Sequence, residues 1–303
     1  MKKIAFCAPI IAGAVILCVS GCGTKSTGPC VSRDADSVVQ TDAQALAVDT
    51  IAYDSVNATT AKCSLRVDYP TGSDSLALGI KRFIASQLAS LYLPLTYTDD
   101  AAQQRAYPLY GESIDDGAAL VGHYGNGVMR FLAGLRKEMD DARTEKNELP
   151  MLSAQTTISL DTVTPRYITY RISDDSYPGG AHHAYSSYCV NISRQTFKPV
   201  DSIVSPAHLK ALQPLLREHI LRSLKASGVE QVTAATLSDY LVLPDDGIIL
   251  LPAHSAWIER DSIHMTYQPY EIASYAVGSI SFSVALKDIK PYLSTEALRL
   301  LGQ

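Results

Sequence analysis

The chain predicts an α+β fold: antiparallel sheets with helices packed on one face, in a two-part layout. Two observations carry this expectation. The hydrophobic period switches between 2 and 3.6 along the chain, in the order strand, two helices, strands, helix, strands. The composition, 47% hydrophobic with 19% charged residues, belongs to a packed globular protein and not to a disordered one. No internal repeat interrupts the order.

The first residues stand apart. Met1-Lys2-Lys3 is followed by an apolar run from Ile4 to Val19 and then by Ser20-Gly21-Cys22. The run suits a secretion signal and is short for a permanent membrane span, which needs roughly 20 apolar residues. Small residues before Cys22 let a peptidase reach the backbone, and the thiol can take a diacylglycerol. Residues 1–21 are therefore expected to be a lipoprotein signal peptide, with Cys22 the lipidated first residue of the mature chain. A partner follows from this: the membrane, held through lipid on Cys22. No acidic run follows Cys22, and the expected location is the periplasm-facing outer membrane of a bacterial envelope.

Residues 22–57, rich in Ser, Thr, Asp and Ala, read as a flexible tether. Net charge is −5, and becomes −7 when Lys2 and Lys3 leave, which argues against a nucleic-acid partner. After Cys7 and Cys18 depart and Cys22 is acylated, Cys30, Cys63 and Cys189 remain. They allow one disulfide at most, in any of three pairings; buried free thiols are the simpler expectation for Cys63 and Cys189. No Cys-x-x-Cys, nucleotide-binding or Gly-x-Ser-x-Gly motif occurs, and no cofactor is expected.

From Ala61 to Tyr69 apolar and polar residues alternate as in a half-buried strand. Ser73 is placed to cap a helix carrying Leu76, Ile80, Phe83, Ile84, Leu88 and Leu91. A second helical pattern runs from about 116 to 147, with Gly122, Gly125 and Gly127 expected to break its first half. Its charged stretch from Arg136 to Lys146 reads as solvated. Strands are expected at 151–161 and 166–173, a turn at 174–180, and a strand at 184–192. A helix follows over 206–225 and a short one near 236–241. Short strands at 247–251, 256–260, 262–267 and 279–286 lead to a terminal helix near 294–301. The layout divides into parts at 58–150 and 151–303.

Two segments hold the candidate site residues. In Tyr177-Pro178-Gly179-Gly180-Ala181-His182-His183 the glycines permit positive φ and leave amides open to a ligand, and the histidines invite a metal or base reading. Adjacent histidines point apart on a strand, however, and no His-x-x-x-His spacing supports a shared ion, so no metal is assigned. In Tyr267-Gln268-Pro269-Tyr270-Glu271-Ile272-Ala273-Ser274-Tyr275-Ala276-Val277-Gly278 a strand ends in a tyrosine-rich crossing. Tyr270 and Tyr275 suit a core edge or a recognition surface, with the core edge preferred. Glu271 is a single carboxylate in a turn.

Together these segments carry a resemblance. Gly179-Gly180-Ala181-His182, Tyr188 in the next strand, Phe197-x-x-x-Asp201 and the closing Pro269 to Gly278 stretch resemble the RsiV-like, PdaC-type extracytoplasmic domain family. The likeness covers about residues 160–290, with 58–150 similar in character to the family's preceding PdaC-type part. It implies an α+β ectodomain facing the cell wall, one that binds lysozyme in some members. His183 departs from the small residue usual there, and the Asp201 stretch is shortened. No catalytic residue is carried over.

The resulting expectation is a non-enzymatic, lipid-anchored binding or sensing module of the envelope, with lysozyme-like proteins or peptidoglycan fragments as ligands. Candidate contact positions are Gly179, Gly180, His182, His183, Tyr270, Glu271 and Tyr275. The alternative is a cell-wall-active, metal-dependent hydrolase using the His182/His183 loop.

Overall fold

The computed structural model describes residues 30–34, 45–92, 108–142, 149–200, 202–254 and 256–303. The signal segment, Cys22 and Asp201 lie outside the described residues. Six strands form one sheet in chain order: β1 (Cys30–Asp34), β2 (Val48–Asn57), β3 (Ala61–Pro70), β4 (Leu152–Val163), β5 (Tyr167–Tyr177) and β6 (Ala184–Ser193). All neighbours are antiparallel except β3 and β4, which run parallel. A parallel pair needs a crossover, and the chain between them supplies α1 (Ser75–Tyr92) and α2 (Gly117–Ala142).

Two expected boundaries change. Val48–Asn57 is a strand, not tether: it pairs along its whole length with β3, from Val48 opposite Pro70 to Asn57 opposite Ala61, and buries Val48, Ile51, Ala52 and Tyr53. Its apolar residues break strict alternation, which hid them among polar neighbours. The division at 150/151 falls inside the sheet, because Ala61–Val67 pair with Leu152–Ile158. One hydrophobic core joins Ile51, Leu65, Ile84 and Leu120 to Ile158, Tyr170 and Ile192, so the residues on either side of 150 share a fold.

The helices follow their periodicity with local corrections. Asp74, not Ser73, caps α1, its carboxylate accepting from the Ala77 amide at 2.9 Å. Asp116 does the same for α2 through the Ala119 amide at 3.0 Å. Gly122, Gly125 and Gly127 do not break α2; they are buried in it. A Cβ on Gly125 would stand 2.4 Å from the Tyr53 ring, and one on Gly117 would stand 2.6 Å from Ile51 and Tyr69. These glycines let the helix approach the sheet. Arg136 is no solvated residue either: it bonds Asp140 at 3.1 Å and the Pro150 carbonyl at 3.2 Å, holding the chain as it enters β4.

The expected turn at 174–180 begins later. Asp174 to Tyr177 stay in β5, paired with β4 and β6, and the loop occupies 178–183. After β6 come α3 (Leu209–Ala226), the three-stranded sheet β7 (Ala256–Glu259), β8 (Ser262–Tyr267) and β9 (Ile280–Ala285), the short α4 (Leu286–Ile289) and α5 (Thr295–Leu301). Leu212, Leu216, Ile220 and Leu224 of α3 join Ile263, Met265, Ile280 and Val284 in a second core. Segment 247–251 is no strand. Its backbone partner is a side chain: the Gln213 carboxamide donates to the Ile249 carbonyl at 2.9 Å and accepts from the Ile249 amide at 2.9 Å.

The same device joins the two layers. Asn191 of β6, 2% exposed, accepts from the Ile258 amide at 2.6 Å and donates to the Ile258 carbonyl at 3.2 Å and to Thr169 at 2.9 Å. A carboxamide presents one donor edge and one acceptor edge, so it continues a strand ladder where backbone geometry ends. Cys63 and Cys189 are buried free thiols, and burial pushes both up to about 12.

Candidate functional site

The loop between β5 and β6 is shaped by its glycines. Gly179 and Gly180 have φ of 95° and 131°, values a side chain rarely adopts, and a Cβ on Gly179 would lie 2.9 Å from Met139. Tyr177 closes the loop, its hydroxyl donating to the Gly180 carbonyl at 2.9 Å. The chain then presents two histidines in different directions. His183 donates through Nδ1 to Asp175 at 2.7 Å and stacks on Tyr177 with ring centroids 5.0 Å apart. His182 turns toward the second sheet.

There it meets the tyrosine crossing, 88 positions away in sequence, with Nε2 3.0 Å from the Tyr270 hydroxyl. Its Nδ1 lies 2.9 Å from the His183 carbonyl, which can only accept. In the neutral ring the proton therefore sits on Nδ1 and Nε2 accepts from Tyr270. His182 stacks on Tyr275 at 3.6 Å between centroids with planes 14° apart. Tyr270 lies 5.6 Å from Tyr275, and Tyr185 stands edge-on to Tyr275 at 6.3 Å. The two candidate segments thus form one aromatic surface of His182, Tyr185, Tyr270 and Tyr275.

The crossing is held in place by polar bonds. The Gln268 carboxamide accepts from the Ser187 amide at 3.1 Å and donates to the Ser187 carbonyl at 3.0 Å, tying the crossing to β6. Both carboxylate oxygens of Glu271 are engaged by the backbone: one accepts from the Gln268 amide at 2.8 Å and the other from the Ala253 amide. Gly278, at φ 75°, ends the crossing where a Cβ would stand 3.4 Å from the Tyr185 hydroxyl. In β6, Tyr188 stacks on the exposed His254 at 3.8 Å with planes 4° apart. Burial lowers the His254 pKa, opposed in part by the Glu271 charge.

Tyr270 departs from the preferred core-edge reading. It is 63% exposed and has φ of 71°, in the left-handed region that costs a non-glycine residue about 1–2 kcal/mol. Tyr185 and Gln268 were not singled out from the sequence. Tyr185 follows His182 by three residues at the strand's start, and only the crossing makes it part of the surface. The histidines do not share an ion site. Among the described residues no group of three or more His, Cys, Asp or Glu side chains is placed to hold a metal. Ser187, near the histidines in sequence, pairs its hydroxyl with Ser173 at 2.9 Å. What the surface offers chemically is ring faces, hydroxyls and one imidazole, a set suited to stacking and hydrogen bonding.

No protein-family model matches the chain, and no curated protein matches it. Solved structures do. A DUF3298-family protein of Bacteroides fragilis superposes with a TM-score of 0.57 at 19% identity, over 85% of this chain and 98% of that one. A DUF3298-family protein of Pseudomonas aeruginosa PAO1 superposes with a TM-score of 0.54 at 12% identity, over 83% of this chain and 96% of that one. DUF3298 is the RsiV/PdaC-type domain family, so the fold implied by the sequence resemblance and the fold observed agree. At these identities the likeness is one of fold: the chain has the α+β architecture of these two DUF3298-family proteins.

Proposed function

We propose that the chain is a lipid-anchored binding or sensing module of the bacterial envelope, tethered through Cys22, which recognises a cell-wall ligand on the His182–Tyr185–Tyr270–Tyr275 surface. The observation that carries this is Tyr270: a large aromatic side chain, 63% exposed, held at a backbone angle that a glycine would adopt without strain. Strain kept where packing returns little is a mark of a contact residue. Exposed tyrosines combine apolar area with a hydroxyl, the chemistry of both sugar stacking and protein hot spots. The resemblance supplies the two ligand classes, peptidoglycan fragments and lysozyme-like proteins. The hydrolase alternative draws no support from the site, where His182, His183 and Glu271 point to separate partners.

Calorimetric titration of the lipid-free chain with muropeptides and, separately, with a lysozyme tests the reading. Tyr270→Ala and Tyr275→Ala are expected to weaken the interaction at least tenfold while the melting temperature holds, as for hot-spot aromatics. Absence of binding to both ligand classes, or binding indifferent to both variants, refutes it. Lipidation is tested separately, by incorporation of labelled fatty acid that is lost in Cys22→Ser.

A further inference from the structure

Three arginines line one cleft that shares no lining residue with the aromatic surface. It has a volume of about 380 Å³ and lies between the β4–β5 turn, the hairpin that follows β6, and α5. Arg166, Arg194 and Arg299 are among its lining residues, and Glu296 is the one acidic member among the described residues. In a chain of net charge −5 this is a local reversal of sign. Among the described residues neither Arg166 nor Arg299 takes part in an ion pair. The guanidinium groups of Arg166 and Arg299 alone outnumber the Glu296 carboxylate, leaving a positive potential that low-dielectric walls focus into the cleft.

The cleft is built from rigid parts. In the β4–β5 turn the Thr164 hydroxyl accepts from the Arg166 and Tyr167 amides at 3.2 and 2.9 Å and donates to the Tyr167 carbonyl at 2.8 Å. The Arg194 amide donates to the Arg166 carbonyl at 2.9 Å, and the Arg194 guanidinium to the Thr164 carbonyl at 3.2 Å. The Ser193 hydroxyl accepts from the Gln195 and Thr196 amides, both at 3.3 Å. This hairpin rests on α1, where a Cβ on Gly79 would stand 2.4 Å from the Phe197 carbonyl oxygen. On the far wall the Arg166 guanidinium lies against Gly302, whose Cβ would overlap it at 2.4 Å. Gly302, at φ 78°, both ends α5 and makes room for that arginine.

We propose that this cleft is an oxyanion-binding site, taking a carboxylate or phosphate group on the guanidinium groups of Arg166, Arg194 and Arg299. The planar guanidinium fork matches both anions in geometry. A second cleft of about 780 Å³ shares Pro165 and Arg194 with it and extends to Thr71, Asp74 and Ser75. That volume, within the usual range for ligand pockets, accommodates a neutral polar body attached to the anion. The site is separate from the aromatic surface and does not depend on its reading.

The test uses three probes at matched ionic strength: inorganic phosphate, acetate, and vesicles of phosphatidylcholine with or without phosphatidylglycerol. Wild-type chain is expected to bind phosphate or acetate by calorimetry, and Arg299→Ala to weaken this at least tenfold with Arg299→Lys intermediate. Free-anion binding without vesicle capture assigns a soluble ligand. Capture that needs phosphatidylglycerol and is lost in Arg299→Ala assigns a lipid headgroup. Tyr270→Ala is expected to bind the anion as wild type does. Arg299 is exposed, so Arg299→Ala tests the site even where Arg166→Ala fails to fold. Binding of every probe unchanged in Arg299→Ala, or no binding of any probe by wild type, overturns the proposal.

Discussion

Two glycines on one helix should respond in opposite directions to the same substitution. Gly134 in α2 is exposed, and a Cβ there would meet nothing within 4 Å. Gly134→Ala therefore changes only backbone entropy and is expected to stabilise the protein by about 1 kcal/mol. Gly125 lies nine positions earlier, where the new Cβ would stand 2.4, 2.6 and 2.6 Å from three carbons of the Tyr53 ring. Ordinary carbon contacts begin near ~3.5 Å, so the overlap is roughly 1 Å. Tyr53 is fully buried, and its hydroxyl donates to Asn126 of the same helix at 3.2 Å, so the ring cannot swing away cheaply. Forcing the helix off the sheet costs about 3 kcal/mol, at the upper end of overpacking penalties, and the helix-propensity gain returns about 1. Gly125→Ala should thus lose about 2 kcal/mol net. The two variants would differ by about 3 kcal/mol, on the order of a hundredfold in the unfolding constant. Urea unfolding followed by circular dichroism reads both. If Gly125→Ala shifts the midpoint upward as Gly134→Ala does, close approach is not what the buried glycine provides, and the account of α2 is wrong.

The carboxamide joint between the layers is tested by Asn191→Leu, which strands the Ile258 amide and carbonyl and the Thr169 hydroxyl. A loss of about 4 kcal/mol is expected, in line with several buried groups left unsatisfied; a loss under about 1 kcal/mol would show that the amide bridge is dispensable. The buried thiols of Cys63 and Cys189 should resist a disulfide reagent near pH ~8 until urea unfolds the chain. Both hold their protons more tightly folded than unfolded, with pKa moved from 9.0 to about 12. Their contribution to stability is therefore complete below pH 9 and is lost as pH rises toward about 12. A urea midpoint flat across that range would count against it.

The elements with clean periods were legible in the residues alone. Ala61–Tyr69 alternates so strictly that one face must be buried, and the Leu and Ile ladder of α3 admits little but a helix. The glycine–histidine loop and the tyrosine crossing also stand out in the residues alone, since glycine pairs and dense tyrosines are unusual locally. Where local and tertiary demands disagreed, the sequence misled. The glycines of α2 look like breakers because helix propensity counts only the backbone, while their value lies in the distance to Tyr53. Val48–Asn57 looks like tether because its pairing with β3 is worth more than its own pattern suggests.

Chain order, the apolar faces and the chemistry of each loop are written in the sequence because they depend on neighbours a few residues apart. Which loops meet is not. His182 and Tyr270 are 88 positions apart, and Arg166, Arg194 and Arg299 come from three separate elements. Their meeting follows from how two layers dock through Asn191 and Gln268, and side-chain amides leave no periodic trace by which such docking could be read.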